Sequence, residues 1–204
     1  MMQGRLFIIS APSGAGKTSL VKYLVANMRA LSVSISHTTR PMRPGEVNGQ
    51  DYFFVSNEMF SAMLGQGAFL EYAKVYDNCY GTARQHVEDL LNTGQDVILE
   101  IDWQGAAQIK TLLPDSVAIF IFPPSIEILQ KRLFDRGQDS AAVIDRRMRD
   151  AITEMRHYRE FDYLIVNDDF QLAFFEIQSI ITAYRLQREP QQHKLQPLLD
   201  NLFV

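Results

Sequence analysis

Residues 11–18 read Ala11-Pro12-Ser13-Gly14-Ala15-Gly16-Lys17-Thr18 and follow an apolar run, Leu6-Phe7-Ile8-Ile9. Small side chains at this spacing let backbone N–H groups curl around phosphate oxygens, and the N-terminus of the helix that follows adds a favourable dipole. The pattern is a phosphate-binding loop (P-loop) in which Ala11 stands at the position of the first glycine. A methyl group is tolerable there if that residue keeps a negative φ. In such a loop Lys17 reaches the β- and γ-phosphates and the Thr18 hydroxyl is a ligand for Mg²⁺. The plainer reading is a glycine-rich strand-to-helix turn with a solvated lysine. Gly16-Lys17-Thr18 set between a strand pattern and a helix pattern argues against it.

Other charged groups have less specific spacing. Arg40 and Arg43 lie three apart in a segment with Pro41, Pro44 and Gly45. Two guanidinium forks suit a dianionic phosphate, although a solvated basic loop has the same composition. Glu71 falls in the strand pattern Phe69-Leu70-Glu71-Tyr72-Ala73, where an unpaired carboxylate is costly unless it lies on the polar side of an edge strand. Glu100 and Asp102 are two apart, so a strand places both on one face near its carboxyl end. An acidic group that orients Mg²⁺ or its waters fits Glu100; spacing does not separate its role from that of Asp102. Between Gln130 and Arg159 there are eight basic and five acidic residues, which reads either as phosphate-binding arginines or as an exposed helix with i,i+4 pairs. None of the four histidines has a partner spacing that suggests a metal or a base.

The elements that would position these groups alternate. Residues 6–9 read as a buried parallel strand, 18–28 as a helix, 97–101 as a strand and 104–112 as a helix. Residues 117–122 (VAIFIF) are a strand stopped by Pro123-Pro124. Ser125 reads as the N-cap of a helix to about 135, followed by a helix over 145–158, a strand over 163–166 and a helix over 172–186. Strand-helix alternation predicts an α/β fold with a parallel sheet flanked by helices. Residues 36–94 break the rhythm with six glycines, two prolines and two aromatic strand candidates, 51–55 and 69–73. They read as a small inserted lobe. The tail beyond Glu189 has two prolines yet keeps Leu195, Leu198, Leu199, Leu202 and Phe203, so it is expected to dock, either on its own chain or in a homo-oligomer contact.

Composition sets outer bounds. The 204 residues are 47% hydrophobic and 22% charged, which supports a packed core rather than disorder. A net charge of −4 excludes the basic footprint of a dedicated nucleic-acid binder. One cysteine, Cys79, excludes an internal disulfide framework. No apolar run approaches the ~18 residues of a membrane span, and the N-terminus lacks a signal-peptide pattern. A cytoplasmic protein is expected.

The segment Ser36-His37-Thr38-Thr39-Arg40-Pro41-Met42-Arg43-Pro44-Gly45-Glu46-Val47-Asn48-Gly49-Gln50-Asp51-Tyr52, together with the P-loop, resembles guanylate kinase. The likeness runs from Arg5 to about Asp168. It implies a P-loop NTPase core (1–35 and 95–189, lid about 132–147), a GMP-binding lobe (36–94) and a C-terminal tail (190–204). It also implies that Arg40, Arg43, Tyr52 and Tyr80 hold the phosphate of GMP, and that Ser36, Glu71, Thr82 and Asp102 read the guanine. Arg132, Arg136 and Arg147 match lid arginines that close over the ATP phosphates, and Gly137-Gln138-Asp139-Ser140 looks like the lid loop. Ala141-Ala142 stand where acidic residues are expected. Asn167 matches the segment bordering the adenine. The implied activity is Mg²⁺-dependent phosphoryl transfer from ATP to GMP, with no tightly bound cofactor, no nucleic acid and no membrane. A kinase of another nucleoside monophosphate and a non-catalytic interaction module of the same fold are the alternatives. The P-loop lysine argues against the second, and Glu71 with Ser36 against the first.

Overall fold

The computed structural model describes residues 4–75, 77–135 and 141–203. In chain order the elements are β1 (Leu6–Ser10), α1 (Lys17–Asn27), β2 (Leu31–Ser34), β3 (His37–Thr38), β4 (Phe53–Phe54), α2 (Asn57–Gly65), β5 (Phe69–Val75), β6 (Asn78–Ala83), α3 (Arg84–Asn92) and β7 (Asp96–Glu100). They continue with α4 (Trp103–Leu112), β8 (Val117–Phe122), α5 (Ile126–Asp135), α6 (Ala141–Met155), a 3-10 turn (Arg156–Glu160), β9 (Tyr163–Val166), α7 (Phe170–Arg185) and α8 (Arg188–Leu202).

Five strands pair in the order β2-β7-β1-β8-β9, every pair parallel. The sheet is buried on both faces, which explains why its strands are continuous apolar runs rather than alternating ones. Phe7 and Ile9 of β1 face one way, packing with Leu20 and Leu24 of α1 and Ile177 and Ile181 of α7. Ile8 faces the other way, against Val87 and Leu91 of α3 and Ile109 of α4. A smaller cluster, Leu129 and Leu133 with Ile144, Met148 and Ala151, packs α5 against α6. The second sheet, β4-β3-β6-β5, lies within the inserted segment and is mostly antiparallel.

The core elements expected from periodicity are present to within a few residues, and the parallel sheet is as predicted. The sequence reading does not anticipate β2, α2 and α3, which are short and interleave apolar positions with Ser, Asn, Glu and Gln. The strand expected over 51–55 shrinks to Phe53–Phe54, because Asp51 is used in a turn: its carboxylate accepts Val47 N–H at 2.9 Å and pairs with Lys22 at 2.6 Å. The helix expected over 145–158 starts earlier, at Ala141, and passes into the 3-10 turn after Met155. There His157 stacks on Trp103 of α4, ring centroids 3.5 Å apart and planes nearly parallel, which ties the end of α6 to the start of α4. Of the two expectations for the tail, docking on its own chain is not met by its last side chains. The tail forms helix α8 with Pro197 inside it, yet Leu198, Leu202 and Phe203 are 51%, 64% and 83% exposed, so these side chains do not dock on their own chain.

Candidate active site

The P-loop leaves the carboxyl end of β1 and enters α1 at Lys17, where ligands sit in open α/β sheets. Gly14 and Gly16 both have positive φ, near +98° and +96°; Ala11 does not, so its methyl group costs nothing there. At Gly16 space and backbone coincide, since a Cβ would lie 2.3 Å from the Asn167 amide nitrogen. That amide, buried, donates to the Ala15 carbonyl at 2.7 Å and fixes the loop from the far side. Lys17 donates to the Ile101 carbonyl at 3.2 Å. The Thr18 hydroxyl donates in a short bond to Glu100, which brings two hard oxygen groups of the kind Mg²⁺ and its waters take.

Two adjoining cavities, 460 and 240 Å³, run from this loop to the inserted lobe. Arg40, Arg43, Tyr52 and Tyr80 line the larger one from the lobe, Glu100 from the core and Arg147 from α6. Arg40 is held ready by a bidentate pair with Glu46, at 2.7 and 3.0 Å, and lies over the rings of Tyr52 and Phe54. Glu46 also accepts the Arg43 backbone N–H at 2.7 Å, so one carboxylate sets both arginines. The guanidinium beside it holds the Glu46 carboxyl below the usual range, against a cost of burial. Burial also drives the Tyr52 hydroxyl upward, reinforced by Glu100 and Tyr80, so it remains a neutral donor.

The smaller cavity gathers Lys17, Ser36, Glu71, Asp102 and Glu154. Glu71 is 3% exposed. Its Oε1 accepts the Thr82 hydroxyl at 2.5 Å, and Thr82 lies 3.4 Å from the Ser36 hydroxyl. Oε2 packs on α4 where only a glycine fits, as a Cβ on Gly105 would come within 2.4 Å. Burial pushes the Glu71 carboxyl up to about 7, and the Asp102 charge adds to this while Thr82 and Lys17 oppose it. Asp102 is the N-cap of α4, accepting Gly105 N–H at 3.0 Å and the Gln104 amide at 2.9 Å.

The structure therefore brings together the P-loop, Thr18, Glu100, Asp102, Ser36, Arg40, Arg43, Tyr52, Glu71, Tyr80, Thr82 and Arg147. Arg132 lies on the flank of the loop: one Nη donates to the Asn167 carbonyl at 3.0 Å and the other is buried without a partner among the described residues. Arg136 and the Gly137–Ser140 loop lie outside the described residues. Sequence reasoning missed two groups. Glu46 sits within the quoted motif, six residues after Arg40, and its type was the available signal. Glu154 lies seven residues after Arg147, two helical turns along the same side of α6, and burial pushes its carboxyl up to about 7 despite the nearby Lys17 charge.

Comparison with known proteins accords with this geometry. A family model described as guanylate kinase matches residues 3–184. The guanylate kinase of Methylococcus capsulatus is 57% identical over 202 residues, 99% of each chain. That of Coxiella burnetii is 54% identical over 202 residues, 99% of this chain and 98% of the other. The crystal structure of guanylate kinase from Anaplasma phagocytophilum superposes with a TM-score of 0.78 at 33% identity, covering 92% of this chain and 89% of that one. A P-loop, a buried carboxylate facing it and matches of this length together place the chain in the guanylate kinase family.

Proposed function

We propose that the chain transfers the γ-phosphoryl group of ATP to GMP, giving ADP and GDP, with Mg²⁺ bound to the nucleotide, in the cytoplasm. The observation that carries this reading is one cavity that opens on both the P-loop lysine and a buried glutamate backed by hydroxyls.

Guanine presents N1–H and the 2-amino group side by side, and the ionised Glu71 carboxylate accepts both. In the free site that carboxyl is held near 7, so GMP, which supplies donors, draws it into the ionised form. Ser36 and Thr82 offer hydroxyls to O6 and N7, and Asp102 a second acceptor for the amino group. Arg40 and Arg43, set by Glu46, take the phosphate of GMP with help from Tyr52 and Tyr80. That phosphate is itself the nucleophile, so no side-chain base is needed.

On the donor side, the P-loop amides surround the β-phosphate and Lys17 exchanges its carbonyl partner for a phosphate oxygen. Thr18 and Glu100 would hold Mg²⁺, Glu100 through water, and the ion would neutralise charge on the transferring phosphate. Arg132 has a buried, unpartnered donor for the same anion, and Arg147 approaches from α6. Asn167 and its neighbours border the adenine. Transfer spreads charge over the equatorial oxygens, so these residues act by placement and electrostatics.

ADP release measured in a coupled assay with GMP, dGMP, AMP, dTMP and CMP as acceptors tests the reading. Turnover with GMP far above AMP, dTMP and CMP is expected; AMP or dTMP preferred over GMP would overturn it.

A further inference from the structure

The largest cavity of the molecule among those described lies away from this site. It has a volume of 620 Å³, at the amino ends of β1, β7 and β8, closed by the end of α7 and the start of α8. One strand length, roughly 17 Å, separates it from the P-loop end of the sheet. Ligands of parallel sheets gather at the carboxyl ends, so neither the fold nor the reaction explains it.

Its chemistry is cationic, in a chain of net charge −4. Arg5, Arg29, Arg185 and Lys194 line it against two carboxylates, Asp96 and Asp115. Asp96 is committed to structure: it accepts the Arg5 backbone N–H and the Arg185 guanidinium, each at 2.7 Å. Arg185 also donates to the Ala30 carbonyl at 3.0 Å, which fixes its plane. The Arg5 guanidinium rests over the Tyr184 ring, 5.0 Å from its centroid, and an aromatic face leaves the N–H fork of a guanidinium open to an acceptor. Arg29 and Lys194 are exposed at the rim. Ser116 gives an independent sign of an absent partner: the residue is 5% exposed, it lines the cavity, and its hydroxyl has no hydrogen-bond partner among the described residues. A buried hydroxyl left unpaired is costly and calls for one.

We propose that this cavity is a second binding site, selective for small polyphosphate anions. The Arg5 guanidinium fork matches adjacent phosphate oxygens bidentately; Arg185, whose Nε and Nη2 are held by Asp96 and Ala30, adds its remaining Nη1 donors, Arg29 and Lys194 add charge at the entrance, and the Ser116 hydroxyl donates to an inner oxygen. A volume of 620 Å³ accommodates a di- or triphosphate group with or without an attached nucleoside. The α8 helix closes one side through Pro190, Gln191 and Lys194.

Calorimetric titration of inorganic tripolyphosphate into the full chain, with the catalytic cavities filled by GMP and a non-hydrolysable ATP analogue, tests the site. One saturable event is expected. Arg5→Ala should weaken it by roughly tenfold or more, the loss typical of one charge-assisted contact. The double variant Arg29→Ala/Lys194→Ala, confined to exposed side chains, should weaken it comparably while leaving turnover unchanged. A parallel titration with GTP separates the sources: equal affinity assigns recognition to the phosphates alone, and tighter binding adds a nucleoside contact. Absence of saturable tripolyphosphate binding to the parent chain, or unchanged affinity in both variants, would overturn the proposal.

Discussion

The P-loop and the inserted lobe fix their phosphate-facing groups by different means. The loop backbone is shaped by neutral contacts from the core: Asn167 on the Ala15 carbonyl and the close approach of that amide to Gly16. The lobe relies on ionisable pairs, with Arg40 and Arg43 set by Glu46, and on a buried carboxyl, Glu71, held near 7. Neutral contacts hold their geometry across the pH range in which proteins are stable. Ionisable ones respond to pH and to whatever the substrate offers. The loop should therefore govern turnover and the lobe should govern selectivity, with pH acting mainly through the lobe.

The comparison breaks most visibly at Lys17. Lys17→Ala should leave GMP affinity nearly intact but lower kcat on the order of 10²–10³-fold, the range for one preorganised donor acting on transferring charge. Near-normal turnover in the folded variant would remove the loop from the chemistry. On the lobe side, Glu71→Ala should cut kcat/KM for GMP by about 10²-fold, since two hydrogen bonds to a charged acceptor are lost. AMP should suffer far less, because it presents an N1 lone pair and no 2-amino group, and ATP binding should stay close to normal. An unchanged GMP-to-AMP ratio would mean that Glu71 does not read the base.

The pH contrast sharpens the same division. Burial raises the Glu71 carboxyl from the ordinary value of 4.5 to about 7 in the folded chain. Its effect on stability is absent below about 4.5 and grows as an ionisation penalty as pH rises through 7. Glu71→Gln should thus stabilise the free protein at pH 8 by up to about 3 kcal/mol and have little effect at pH 4.5, measured by denaturant unfolding. GMP binding follows the opposite sign, because the ionised form accepts the guanine donors: kcat/KM for GMP should fall as pH drops below 7, and the variant should lose that dependence. Asn167→Ala probes the neutral plan. It should destabilise the chain by about 1–3 kcal/mol through the freed Ala15 carbonyl, without altering the GMP-to-AMP ratio. The smallest effect is expected from Glu46→Gln, a rise of roughly threefold to tenfold in KM for GMP with kcat preserved, as Arg40 keeps its place over Tyr52 but loses its ionic partner.

The two regions also differed in how far the sequence disclosed them. The P-loop could be read because its function is local: eight consecutive residues, a preceding strand and a following helix state the geometry. Long apolar runs gave the parallel sheet for the same reason, since 117–122 and 163–166 need no partner to be recognised. In the lobe the arrangement depends on pairs far apart in sequence, such as Glu71 with Thr82 and Gly105. Spacing alone favoured a solvated basic loop for Arg40 and Arg43 and left Glu71 evenly balanced against the polar side of an edge strand, and only the longer motif decided. Glu154 was hidden because helical periodicity brings a residue near Lys17 only once the packing of α6 on α5 is known. The tail's leucines have a docking pattern, and a pattern does not show where the partner surface lies.

The stacking of His157 on Trp103 has a practical side. Trp103 is the one tryptophan in the chain, so the indole emission of the protein comes from a single ring lying against the turn that ends α6. An imidazole in face contact quenches an indole. Any swing of α6 that parts the two rings would brighten the signal, and any motion that leaves them together would leave it silent. The molecule thus has an optical gauge at the end of α6, and rapid mixing with nucleotide can read it without a dye or an engineered label.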